Sequence, residues 1–112
     1  MKTLKVHLKN ETIDELKEIP VRTIKELKIP EWAETVKVFV HPRIDSVTME
    51  PRTDKNRPWT VSEYKTGISI INWADNSKSA ILDAERILSR VGEVEYIKTV
   101  NHYIEKYGIA NP

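Results

Sequence analysis

Trp59-Thr60-Val61-Ser62-Glu63-Tyr64-Lys65-Thr66-Gly67-Ile68-Ser69-Ile70-Ile71-Asn72-Trp73 is the stretch whose reading decides the fold. Residues 59–64 and 68–73 are rich in aromatic and β-branched side chains, which favour strands. They flank Lys65-Thr66-Gly67, with Gly where a positive φ costs least, so the stretch predicts a β-hairpin. From Asp75 the period changes. Asp75, Asn76, Ser77 and Ser79 are competent helix caps, and Ala80, Ile81, Ala84, Ile87, Leu88 and Val91 fall on one helical face before Gly92 stops it. A second helix is predicted from Glu93 to Tyr107, with Val94, Ile97, Val100 or Asn101, and Ile104 as its stripe and Gly108 as its end. Two helices so closely joined form an αα-hairpin, and their apolar stripes need a sheet face to cover.

Outward from the hairpin, Val36-Lys37-Val38-Phe39-Val40 alternates and is β-branched, the strongest strand signal in the chain. His41 to Asp45 reads as a turn, and residues 46–50 as the strand returning from it. Leu4, Val6 and Leu8 alternate with Lys5, His7 and Lys9, predicting a strand over 3–9. Two similar phrases follow, at 12–20 and 23–30. Each opens with a Thr three residues before a Glu, the capping-box spacing, and each closes at a Pro, so each predicts a helix of two turns at most. The fold class expected is therefore α+β: an antiparallel sheet of about four or five strands, packed in two layers against a C-terminal pair of helices, with short helical turns near the amino terminus.

The chain has 112 residues, the size of a single domain, which is expected to span 1–112. It carries 18 Lys and Arg against 17 Asp and Glu, so indiscriminate binding to nucleic acid or acidic membrane is not the default expectation, and a charged partner must be met by a local patch. The absence of Cys removes disulfides, thiolate metal sites and cysteine nucleophiles together. His7, His41 and His102 lie in three different elements without metal-ligand spacing, and Gly67, Gly92 and Gly108 are isolated, so neither a metal, a phosphate-cradling loop nor another cofactor is expected. The amino terminus alternates charged and apolar residues where a signal peptide has an apolar run, and no stretch reaches the length of a membrane span. The expectation is a soluble cytoplasmic protein.

His41, Arg43 and Asp45 are the residues closest to an acid–base site, but no nucleophile or orienting partner accompanies them in the turn, and no catalytic role is expected. The loop 51–58 is the better candidate. It places Arg52, Lys55 and Arg57 beside one acid, Asp54, and leads directly into Trp59. Arg43, Lys65 and Lys78 extend the patch if the hairpins bring them to the same edge. Such a basic lip beside a tryptophan suits an acidic protein surface, with Trp59 as anchor, and this protein-binding reading is preferred. The alternative is a nucleic acid, whose phosphates the cations would hold while the indole stacks. Tyr96, Tyr103 and Tyr107 share a face of the last helix and offer a surface for a homodimer.

The run 59–68, followed by Ser77-Lys78-Ser79-Ala80-Ile81 and Ala84, resembles a hairpin-then-helix phrase in small uncharacterised accessory proteins of phages and mobile elements of low-GC bacteria. The resemblance covers about a third of the chain. It implies a context: such proteins are often accessory factors, including inhibitors of host defence proteins, that act by occupying a partner's surface. It assigns no residue a role. The order of strands followed by a helix is also similar to double-stranded RNA-binding domains. The helix here begins with one lysine, Lys78, where that family presents a cluster.

Overall fold

The structure, a computed structural model, describes residues 2–9, 12–45, 47–53 and 58–112. The elements in chain order are β1 (Thr3–Lys9), β2 (Asp14–Pro20), β3 (Thr23–Leu27), β4 (Val36–Pro42), β5 (Trp59–Glu63), β6 (Ser69–Ala74), α1 (Ser77–Val91) and α2 (Glu93–Tyr107). β1 and β2 form a two-stranded antiparallel sheet, and β3-β4-β5-β6 form a four-stranded antiparallel meander.

β4 organises the molecule because both its faces are covered. Val36, Val38 and Val40 face α1, in a core with Leu27, Val61, Ile71, Ala80, Ala84 and Leu88. Phe39 points the other way, into a second core with Leu4, Val6, Leu8 and Ile19 of the β1–β2 hairpin. A strand covered on both faces carries apolar residues on both, here Val38, Phe39 and Val40 in succession, which is why 36–40 stands out in the sequence. The expected two layers are thus three: hairpin, sheet and helices.

The amino-terminal helical turns are not formed. Residues 14–20 and 23–27 are strands instead. A two-turn helix nucleates poorly, whereas pairing along β1 satisfies a seven-residue ladder from Thr3↔Pro20 to Lys9↔Asp14. In the second phrase Leu27 and Ile29 are both buried, at strand rather than helix spacing. The returning strand expected at 46–50 is also absent from the described part of that segment. Asp45 accepts from the N–H groups of Val47 (2.8 Å) and Thr48 (3.0 Å), holding a turn that closes with an isolated bridge between Ile44 and Pro51.

In the carboxyl-terminal half the hairpin and both helices form where expected, but the apolar stripe expected on the second helix does not face a core, with only Val100 of α2 buried. Asn76 caps α1 by accepting from the Ser79 N–H (2.8 Å), and Gly92 alone separates the helices. α2 reaches back over the molecule: Tyr96 packs on Trp32, while Tyr103 and Tyr107 meet the His7 ring edge-on, and the Tyr107 hydroxyl donates to Asp14 (3.0 Å). The tyrosine face is thus occupied within the chain. Val94, at 80% exposure, and Ile97 project outward instead. Among the described residues no helix is long and apolar enough to cross a membrane.

Candidate binding groove

β4 and β5 end and begin together, with Pro42 paired to Trp59. Beyond that pair the Arg43 N–H donates to the Pro58 carbonyl (3.0 Å) and the Arg52 N–H to the Arg43 carbonyl (2.9 Å), which brings Arg52 and Pro58 to the same end of the sheet. The Arg22 N–H donates to Val40 (2.8 Å) and brings the β2–β3 connection to the same end. The result is a groove of about 340 Å³ lined by Pro20, Val21, Arg22, Pro42, Pro51, Arg52, Thr53 and Trp59.

Three of the chain's six prolines wall this groove. A proline wall is rigid and has no N–H groups to leave unpaired when an apolar side chain enters, so the site is pre-organised for one. Trp59 is half-buried, packed on the α1-side core, and contributes its remaining surface to the groove. Arg22 and Arg52 supply positive charge among the apolar residues. A neighbouring cleft of about 550 Å³ shares Arg22 and adds Lys25 and Lys78, beside Glu85.

Of the residues expected to bind, Arg52 and Trp59 meet in this groove. Arg43 turns away from it, with its guanidinium 5.2 Å from the centre of the Trp73 ring. Lys65 lies at the opposite end of β5. Its N–H donates to Glu63 (3.1 Å) and its carbonyl accepts from Ala110 (2.7 Å), and it does not line the groove. Lys55 and Arg57 lie outside the described residues. Arg22, Pro20 and Val21 were not anticipated. Their contribution depends on the pairing of β3 with β4, and a Pro-Val-Arg sequence where two ladders end is the only local trace of it.

His41, Arg43 and Asp45 do not converge. His41 is buried at 2% exposure, with Nδ1 2.9 Å from the Pro42 carbonyl and Nε2 2.8 Å from the Ser62 hydroxyl. A carbonyl only accepts, so Nδ1 carries the proton and Ser62 donates to Nε2. Burial pushes this imidazole down to about 4, so it is neutral near pH 7. Ser62 is itself only 1% exposed, and the pair ties β4 to β5 in the interior. The Asp45 carboxylate is held below the usual range by the Thr48 and Val47 N–H groups, with a smaller effect of Arg52 and Arg43. Among the described residues no three His, Cys, Asp or Glu side chains gather as a metal site.

A scan of protein-family models finds no match for this chain, and no curated protein or solved structure matches it.

Proposed function

We propose that the protein is a non-enzymatic protein-binding module whose proline-walled groove takes an apolar side chain from a partner segment, with Arg22 and Arg52 engaging acidic groups beside it. The observation that carries this reading is the groove itself: a rigid apolar concavity with a tryptophan and two arginines, the residue types that anchor protein interfaces. In that role the protein would be an accessory factor of the phage and mobile-element kind, inhibiting a host protein by covering its surface.

The nucleic-acid alternative rests on the cleft of Arg22, Lys25 and Lys78 near the start of α1. No aromatic side chain lines that cleft, and Glu85 does, so the base-stacking surface that holds single strands is missing where the cations gather. Trp59 packs into the core, which favours a side-chain pocket over a stacking platform.

Selection of random peptides on the immobilised protein tests the proposal. Enriched sequences should combine an apolar residue with neighbouring Asp or Glu, and their affinity should fall by about tenfold or more in Arg22→Glu and Arg52→Glu variants. Enrichment of sequences without acidic residues, or binding indifferent to both charge reversals, would overturn it. Salt-dependent binding of oligonucleotides through Lys25 and Lys78, with no peptide enriched, would establish the alternative.

A further inference from the structure

β6 is the last strand of the four-stranded sheet, and among the described residues it pairs only with β5. Its outer row of backbone groups is therefore a template for another strand, a liability that proteins blunt with charged residues or proline. The other three edges are blunted in this way. β1 carries Lys5 and Lys9, β2 carries four charged residues and ends at Pro20, and β3 carries Lys25 and Glu26. β6, Ser-Ile-Ile-Asn-Trp-Ala, has no charge and no proline in a chain that is 31% charged.

The register of the β5–β6 pair shifts near Val61, so Ile71 and Ala74, three residues apart, both reach the α1-side core. Trp73 is left 56% exposed, with Arg43 over its ring. An exposed tryptophan beside an arginine on an uncharged edge has the composition of an interface centre.

We infer that β6 is a strand-addition edge and that its occupant is a second copy of this chain, paired antiparallel about a two-fold axis into a continuous eight-stranded sheet. Two-fold pairing sets an edge against a second copy of itself, so an edge rich in lysine repels itself, whereas β6 carries no charge of its own. With the axis at Ile71 or Asn72, Trp73 comes opposite Ser69 or Ile71 of the second copy and is covered. A net charge of +1 leaves no long-range repulsion between copies. This inference is independent of the groove and its partner.

Sedimentation of the full chain over a concentration series tests it. The mass should rise from 13.0 kDa towards twice that value, and amides of 69–74 should gain exchange protection as it does. Trp73→Lys and Ser69→Lys should each raise the dimer dissociation constant by about tenfold or more with the circular dichroism unchanged, while Lys25→Glu on the far edge leaves it unaltered. Should one β6 variant fail to fold, the other still reads the edge. A chain that stays at 13.0 kDa to millimolar concentration, or a dimer indifferent to folded β6 variants, would overturn the inference.

Discussion

Under α1 the four-stranded sheet buries Val36, Val38, Val40, Val61 and Ile71 against Ala80, Ala84 and Leu88, an aliphatic contact in which no single atom is indispensable. On the opposite face the same strands bury Phe39 beside His41 and Ser62, and the β1–β2 hairpin is fixed there by directed bonds. The His7 N–H donates to the Gly67 carbonyl (2.9 Å), and Asn111 clasps β1 through the Lys5 N–H and carbonyl (both 2.9 Å) while donating to Tyr64 (2.8 Å). One face is held by area, which degrades gradually, and the other by geometry, which fails at a point. Single substitutions on the hairpin side should therefore cost more than those on the helix side.

Gly67→Ala should have the largest effect. At φ +72°, a Cβ there would lie 2.6 Å from the Lys5 carbonyl oxygen and 2.8 Å from the Val6 Cα, both backbone atoms that move only if β1 moves. A loss of about 3–4 kcal/mol in denaturant unfolding is expected, against about 1 kcal/mol for Gly92→Ala, whose φ is also positive but whose surroundings are open. Equal costs at the two glycines would break the contrast.

Next comes pH. The unfolded chain protonates His41 near 6.5 and the folded chain near 4, so between these values the unfolded state holds more protons. Stability is complete above about pH 6.5 and falls by roughly 3 kcal/mol as pH drops towards 4. A His41→Gln variant should lose about one proton from the slope of unfolding free energy in that window. An unchanged slope would place the acid sensitivity elsewhere.

The smallest effect belongs to the helix side. Asn76→Ala removes the α1 cap and should cost about 1 kcal/mol, with no change in pH dependence, because aliphatic packing still holds the helix. A cost above that of Gly67→Ala would reverse the comparison.

The same division governs what could be read from the sequence. The 59–73 hairpin and both helices were legible because their signals lie within a few residues: Gly67 in the turn, Asn76 at the cap, Gly92 and Gly108 at the stops. β2 and β3 were hidden behind capping-box spacing, since only pairing with β1 and β4 makes them strands. Within the groove, Arg52 and Trp59 were legible as loop and strand start. Lys65 does not line the groove, because it lies in the turn beyond the far end of β5 from Trp59. Ser62 escaped notice beside His41 because it is 21 residues away in sequence and meets the imidazole only across paired strands. The exposure of Trp73 has no local signal, because it follows from the shift in register between β5 and β6.

Binding in the groove is read most directly by its own tryptophan. Trp32, Trp59 and Trp73 give three indole N–H signals, and only Trp59 lines the proline-walled groove. Titration of the ¹⁵N-labelled protein with a selected acidic and apolar peptide should shift the Trp59 indole and the Val21 and Thr53 amides while the Trp32 indole stays in place. Shifts centred on Trp32 or Trp73, with Trp59 unmoved at saturation, would contradict the assignment of the groove as the partner site.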